Sequence, residues 1–445
     1  MVKIRRKCNY NSRNLGLAMN RLFHGLKQNN FALRYVTAQL ASKATAAIAQ
    51  LYAIYVFSKI LPLSDAALIF ILLGYGIWIQ VFEFGLSQVI QNALNINKIT
   101  VSGICKIISL HYVLMISFTV LVIIFPEKLN LFQGERRLYG EDFNRLAFPI
   151  GVAFLLVSTN NVLVQRLLLV TNLAMVASKL TFYQGFFCIV MLMLLKLFGA
   201  NLFGSVFLYL SIPILTFAPL ALKIARKALR NYKKTNVDWQ WMMSNAIGFW
   251  GLTAMSSFYL GADYFFAARH LTNEEMIAYH FASRLFFISY VAYFAYVQYK
   301  AKSISSKTCI GNPQQIWVVA KNAVGIGVLC VFLVLLLTIF LDQSGGLELI
   351  GVGGLVVIPL IISAATYYAA RVFRDVGLVI IWNLGHQRLL YVVHLLELMG
   401  CLLLLNTLAS DLGGAGIFFS MALIAAFSAA IIYAALFRVT PRSSG

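Results

Sequence analysis

The chain has 445 residues, of which 60% are apolar (AVILMFWYC) and only 11% are charged, and its formal net charge is +21. Globular proteins average about 25% charged residues, so the composition excludes a soluble fold and predicts an all-α integral membrane protein. At about 20 residues per span, the length accommodates about 12 transmembrane helices and no sizeable soluble catalytic domain. We therefore expect a protein that is not an enzyme and holds no cofactor and no metal.

The first segment, residues 1–34, is basic and precedes the first predicted span. It is too long and too basic for a cleaved signal peptide, and the apolar stretch that follows has full spanning length. Its apolar residues fall at helical spacing: Leu15, Met19, Leu22, Phe23 and Leu26. This pattern predicts a helix lying on anionic lipid of the cytoplasmic leaflet, and a disordered basic tail is the alternative.

The hydropathy pattern then predicts twelve helices in two sets of six. They cover residues 35–61, 66–94, 104–125, 145–170, 175–197, 202–224, 241–268, 276–299, 316–341, 351–382, 389–408 and 412–437. A shift of about 210 residues lays the first six over the last six, which predicts a parallel repeat related by a pseudo-two-fold axis along the membrane normal. The expected parts are an N-lobe at 35–222, a basic linker at 223–240, a C-lobe at 241–437 and a tail at 438–445.

The basic residues are concentrated on one side of these predicted spans. Clusters lie at the amino terminus and in the central linker: Lys3, Arg5, Arg6, Lys7, Lys223, Arg226, Lys227, Arg230, Lys233 and Lys234. The positive-inside rule therefore predicts that both termini are cytoplasmic. Because the basic runs flank membrane spans and belong to no binding module, we expect no nucleic-acid partner.

Charged residues also lie inside the predicted spans, where each costs about 2.5–3.5 kcal/mol at the bilayer centre. Four of them are close enough to helix ends to snorkel to the interface: Lys59, Arg166, Lys196 and Lys321. The deeper ones must face protein or water: Lys43, Arg284, Arg371, Arg374, Glu83, Asp263, Asp375 and Glu397. Several share a helix face with other polar residues, as the walls of one central cavity require.

Three pairs among the deeper residues have a structural alternative to a role in function. They are Arg371 with Asp375, Asp263 with Arg284, and His394 with Glu397. Each pair could neutralise or hydrogen-bond itself inside the helix bundle without touching a ligand. Glu83 and Lys43 have no partner evident in the sequence, which favours a functional role for Glu83 and leaves Lys43 evenly balanced.

The cations in the spans indicate a phosphate-bearing ligand, because the planar guanidinium of Arg suits phosphate. The predicted binding residues are Lys43, His280, Arg284, Arg371 and Arg374. The predicted coupling or gating carboxylates are Glu83, Asp263 and Asp375. Desolvation favours a protonated carboxylic acid and a nearby cation favours the charged form, so Glu83 is the better candidate for a transported proton and Asp263 for a fixed ion pair.

Short motifs in the same regions resemble those of Wzx-type O-antigen flippases, in the superfamily of multidrug, oligosaccharidyl-lipid and polysaccharide exporters. The matching segments are FEFGLSQVIQNALN from Phe82, GADYFFAARHLTNEEMIAYH from Gly261, RLFFI from Arg284 and YYAARVFRDVGLVI from Tyr367. LGHQRLL and LGGAGI resemble the last inner and outer turns of the family. The resemblance covers about residues 35–437, and the basic amino-terminal extension departs from the family pattern.

The resemblance implies that the chain moves undecaprenyl-pyrophosphate-linked O-antigen repeat units from the cytoplasmic to the periplasmic leaflet of a bacterial inner membrane. It also implies a proton or sodium counter-ion, and a polysaccharide polymerase and chain-length regulator as partners. A multidrug exporter is the alternative with the same fold. The only argument against it is the charge of the predicted cavity, since a cationic drug would prefer an acidic one. A membrane polymerase or glycosyltransferase is the alternative of another class, but such enzymes usually need a larger external loop or a soluble domain.

Overall fold

The computed structural model describes residues 26–95, 99–125, 144–170, 173–199, 201–230, 237–308, 313–350, 352–384 and 386–439. Within these residues the regular structure is entirely helical. The helices are α1 Leu26–Ile60, α2 Leu63–Ile79 with a 3-10 turn at Gln80–Glu83, α3 Leu86–Asn95, α4 Val101–Ile124, α5 Asn144–Val170, α6 Ala174–Phe198, α7 Leu202–Arg230, α8 Trp239–His270, α9 Asn273–Thr308, α10 Pro313–Gln343, α11 Gly346–Ile350, α12 Ile358–Asn383 and α13 Gln387–Val439.

Most predicted helices are present, and the boundaries that differ include the end of the helix predicted at 276–299, which continues to Thr308. The helix predicted at 66–94 is broken into α2 and α3. α1 begins at Leu26 and α7 continues to Arg230, because neither extension contains a Gly or Pro that would end a helix. α12 begins only at Ile358, with a proline in its first turn, the position at which proline starts helices. Most of the amphipathic segment predicted at 1–34 lies outside the described residues.

The last two predicted helices form the two arms of α13, which are joined at Gly413. The backbone there has φ 56° and ψ −138°, a conformation that glycine adopts without steric cost. The change of direction lets the two arms lie side by side.

Eight helices of the described residues are long and apolar enough to cross a membrane, and α13 counts once among them despite its two arms. The long helices outside this set are α8, α9 and α12. These three carry Asp263, Arg284 and the Arg371–Asp375 group. The chain is therefore an all-α, multi-pass membrane protein, and the three long helices outside this set hold several of its deep charges.

Helix packing is reciprocal between the first half of the chain, α1–α7, and the second half, α8–α13. α1 packs against α9, and α2 packs against α8. Contacts within the halves are also equivalent. The contact between α1 and α6 corresponds to that between α8 and α13, and the contact between α4 and α5 corresponds to that between α10 and α12. Two similar halves related by a two-fold axis produce this pattern, in which each inter-half contact has an equivalent.

Two glycines let α2 and α8 approach closely. A side chain at Gly74 of α2 would overlap the ring of Tyr264 of α8, and a side chain at Gly261 of α8 would overlap Trp78 of α2. Each helix therefore inserts an aromatic ring into a gap left by a glycine of the other. These contacts hold the two halves together close to Asp263 of α8.

Candidate functional site

The most buried cation among the lysines and arginines of the described residues is Arg374 of α12, which is 2% exposed. Its Nε and Nη2 atoms donate to the two carboxylate oxygens of Glu397 of α13, at 2.6 and 2.8 Å, and its Nη1 atom donates to Asp375 at 2.6 Å. Glu397 also contacts Nδ1 of His394 at 2.8 Å. The bidentate geometry and the second carboxylate neutralise the guanidinium, as burial of an ion requires.

Arg371 lies one turn before Asp375 and is more open, with 13% of its side chain exposed. Its Nε donates to Asp375 Oδ2 at 3.1 Å, and the hydroxyl of Tyr293 of α9 donates to the same oxygen at 3.1 Å. The guanidinium carbon lies 5.1 Å from the ring centroid of Tyr290 and within 6 Å of two further tyrosine rings. The predicted pair of Arg371 and Asp375 is therefore present, but Asp375 bridges both arginines.

The sequence left open an ion pair between Asp263 of α8 and Arg284. The structure does not contain this pair. Among the described residues the Asp263 carboxylate accepts hydrogen bonds from the hydroxyl of Tyr279 at 2.7 Å and from the backbone N–H of Tyr264 at 2.8 Å. Arg284 follows Tyr279 by five residues on α9, about 7.5 Å further along the axis. It is too far along the helix to replace the tyrosine as the partner of Asp263.

Arg284 instead points along the contact between α9 and α1. Its Nη1 lies 3.5 Å from Oε1 of Gln50, and its Nε lies 3.4 Å from Nε2 of His280. Because a guanidinium only donates, Nε2 of His280 accepts, and the ring proton on Nδ1 faces the hydroxyl of Tyr264 at 2.6 Å. This arrangement describes a neutral imidazole, which stacks on Phe70 with ring centroids 4.6 Å apart, so Arg284 alone supplies the positive charge here.

Lys43 lies on the same α1–α9 contact, seven residues before Gln50. Its ammonium group is 5.3 Å from the ring centroid of Phe294 of α9, a cation–π distance. No salt bridge found among the described residues involves Lys43 or Arg284. The two cations therefore form a positively charged strip between the halves, hereafter the cationic seam.

Glu83 lies apart from these residues, at the break between α2 and α3. Phe84 adopts a left-handed conformation with φ 54°, and a side chain at Gly85 would come within 2.6 Å of the Trp250 backbone nitrogen. The Glu83 carboxylate accepts from the backbone N–H of Ser87 at 3.0 Å. Glu83 therefore caps the start of α3, although the sequence alone showed no partner for it.

Two carbonyl groups at this break accept hydrogen bonds from side chains of other helices, and that of Val81 also accepts the backbone N–H of Phe84 at 3.2 Å. The indole N–H of Trp250 donates to the carbonyl of Val81 at 3.0 Å, and Nε2 of His111 donates to that of Phe82 at 2.8 Å. Nδ1 of His111 contacts Oδ1 of Asn160 at 2.6 Å. Broken helices are tolerated at membrane depth where such partners satisfy the backbone hydrogen bonds. The sequence analysis did not single out His111, although a lone histidine within an apolar span could have indicated it.

No protein-family model and no curated protein sequence matches the chain. Among solved structures, a multidrug resistance MATE family transporter of the MOP superfamily, in an inward-facing conformation, aligns with TM-score 0.63 and 11% identity over 92% of this chain and 100% of its own. The lipid II flippase MurJ aligns with TM-score 0.61 and 12% identity over 88% and 86% of the two chains.

A MOP superfamily transporter from Pyrococcus furiosus, described as having a binding pocket of reversed polarity, aligns with TM-score 0.62 and 12% identity over 92% of this chain and 95% of its own. At these identities the likeness shows the fold alone. The chain has the fold of MOP-superfamily transporters.

Proposed function

We propose that the chain transports an anionic, lipid-linked oligosaccharide across the bilayer, of the undecaprenyl-pyrophosphate-linked class implied by the resemblance to Wzx-type flippases. The observation that carries the proposal is the cationic seam of Lys43 and Arg284. Both cations lie where the two halves meet, and neither is neutralised by an acid of the described residues. A diphosphate entering between the halves supplies the missing negative charge.

The other arginines have different roles in this proposal. Arg371 is partly exposed, and its guanidinium is available at the edge of a group of tyrosine rings that can pack against sugars. Arg374 is sealed between two carboxylates and holds α12 to α13. Arg371 therefore belongs with the binding residues, while Arg374 positions Asp375 and through it Arg371.

Asp263 is the carboxylate best suited to link an ion to the movement of the halves. It is buried, it lies on α8 at the contact with α9, and its partners are a tyrosine hydroxyl and a backbone N–H. No salt bridge found among the described residues involves Asp263. Coupling requires that a proton or sodium ion bind one arrangement of the halves better than the other.

The test is flipping of a fluorescent polyprenyl-diphosphate oligosaccharide by the purified chain in proteoliposomes. Arg284→Gln and Lys43→Met each remove a charge-assisted contact worth about 1.5–3 kcal/mol, so apparent affinity falls about 10- to 100-fold. Lys321→Met is the matched control, because this exposed residue of α10 lies outside the cationic seam. Full activity of both seam variants, or equal loss in the control, removes the seam from the binding site.

The multidrug alternative is tested in the same vesicles with a lipophilic cationic dye. Repulsion by Lys43 and Arg284 disfavours a cationic ligand, so the parent protein is expected to leave the dye gradient unchanged. Transport of the dye together with failure to flip the lipid-linked sugar overturns the proposed function.

A further inference from the structure

An apolar groove, distinct from the cationic seam, lies between α4 and α8 with the start of α3 as its floor. Its volume is about 460 Å³, within the roughly 300–1,000 Å³ typical of ligand sites. Its rim consists of half-exposed residues, Leu110 and Leu114 on α4 and Met243 and Ile247 on α8, while Ile107 is buried in the floor. The lining is that of a site for a hydrocarbon chain.

The groove occupies one leaflet of the membrane. Its α8 wall runs from Trp239, in the first turn of the helix, to Trp250. The eleven helical steps from Trp239 to Trp250 rise about 16 Å, which is about half of the roughly 30 Å hydrocarbon core. Trp239 is at the membrane–water end, where tryptophan is enriched, and this end is cytoplasmic in the predicted orientation.

Positive charge lies on α7, the helix that packs behind the α4 wall of the groove. α7 packs beside α4, and Ile224 of α7 belongs to the same apolar cluster as Ile107 and Met242 of the groove. The last two turns of α7 carry the exposed cations Lys223, Arg226, Lys227 and Arg230. Each Lys or Arg near an anionic membrane surface contributes about 1 kcal/mol of attraction, so the helix next to α4 carries charge suited to an anionic headgroup.

The deep end of the groove is formed by the residues that stabilise the broken helix. His111 and Trp250 both line the groove, and they donate to the carbonyls of Phe82 and Val81 at the break. His111 belongs to the first half of the chain and Trp250 to the second. A chain lying in the groove therefore contacts both halves at the point where α2 and α3 separate.

We propose that this groove binds one acyl chain of an anionic phospholipid of the cytoplasmic leaflet, with the phosphate against the basic end of α7. The one-leaflet depth fits an acyl chain, and the adjacent cations fit an anionic headgroup. The bound lipid fills the gap between α4 and α8 and holds α3 against the second half. It is a second lipid, separate from the transported one.

The test is photolabelling of the full chain in nanodiscs of phosphatidylcholine, titrated with phosphatidylglycerol that carries a photoreactive group on its acyl chain. Labelling of the Met243–Ile247 segment is expected to saturate, whereas labelling around Leu333, a lipid-exposed residue of α10, rises linearly. Arg226→Gln with Arg230→Gln should raise the half-saturating lipid fraction about 10- to 30-fold, the effect of removing two surface cations.

A second variant keeps the charges and fills the groove. Met243→Trp should abolish saturable labelling while leaving the linear labelling around Leu333 unchanged. Linear labelling at both places, or equal saturation by photoreactive phosphatidylcholine, overturns the proposal. Displacement of the label by undecaprenyl phosphate but not by unlabelled phosphatidylglycerol also overturns it and assigns the groove to the polyprenyl chain. Labelling is measured without any flipping assay. A negative labelling result would therefore refute lipid binding in the groove without bearing on the proposed transport function.

Discussion

Replacing Arg374 by Met tests whether the charges between α12 and α13 are balanced as a group. In the parent protein two arginines, Arg371 and Arg374, face two carboxylates, Asp375 and Glu397. The variant leaves one arginine for both acids and removes three hydrogen bonds of 2.6–2.8 Å. Glu397 is 0% exposed, so water cannot replace the lost partner.

The expected loss follows from the burial of the carboxylate that remains. Removing one member of a buried ion pair costs about 3–5 kcal/mol, whereas replacing both members by apolar residues is often neutral. Arg374→Met should therefore lower the free energy of unfolding by about 3–5 kcal/mol. The double change Arg374→Met with Glu397→Leu should lose only about 1–2 kcal/mol, because Arg371 still neutralises Asp375, which loses one hydrogen bond, and His394 loses its contact with Glu397.

The assay is unfolding by SDS titration in mixed micelles, followed by tryptophan fluorescence. Lys321→Met serves as the control, since an exposed substitution is expected to change the free energy of unfolding by no more than about 0.5 kcal/mol. The reasoning is refuted if Arg374→Met is as stable as the control. It is also refuted if the double variant loses the sum of the two single losses, since additivity means that the residues do not interact.

Three further predictions concern orientation and the broken helix. Cysteines introduced at Asn201 or Ser344 should react with impermeant thiol reagents from outside the cell and one at Thr235 should not, and reversed labelling would contradict the predicted orientation. Gly85→Ala should reduce the yield of folded protein, because φ is +68° and the added carbon would meet the α8 backbone; an unchanged yield would remove the strain argument. His111→Ala should lower the free energy of unfolding by about 1–3 kcal/mol by leaving a buried carbonyl unsatisfied, and His111→Gln should recover part of that loss; equal losses would count against the hydrogen bond.

The sequence predicted the helices and their membrane character well, because hydropathy over about 20 residues is a strong signal. It did not predict the break at Phe84 and Gly85, since a change of backbone direction leaves no trace in a hydropathy average. Trp250 and His111 support the break by donating to the carbonyls of Val81 and Phe82 from two other helices.

The charged residues were identified individually, but their partners were not. Arg371 and Asp375 could be paired because they lie one helical turn apart. Arg374 and Glu397 are 23 residues apart on different helices, and pattern within one helix cannot reveal such a contact. Asp263 was matched with a cation by charge, whereas the structure pairs it with the Tyr279 hydroxyl, a group too common in this chain to be singled out.

The uneven hydropathy of the helices has a consequence for how the chain enters the membrane. α12 carries Arg371, Arg374 and Asp375, and at about 2.5–3.5 kcal/mol for each charge at the bilayer centre this helix cannot partition into lipid on its own. The acid that completes its charge balance, Glu397, is synthesised later, on the first arm of α13. We therefore expect α12 to leave the insertion machinery together with α13, so that the two helices enter the bilayer as one unit.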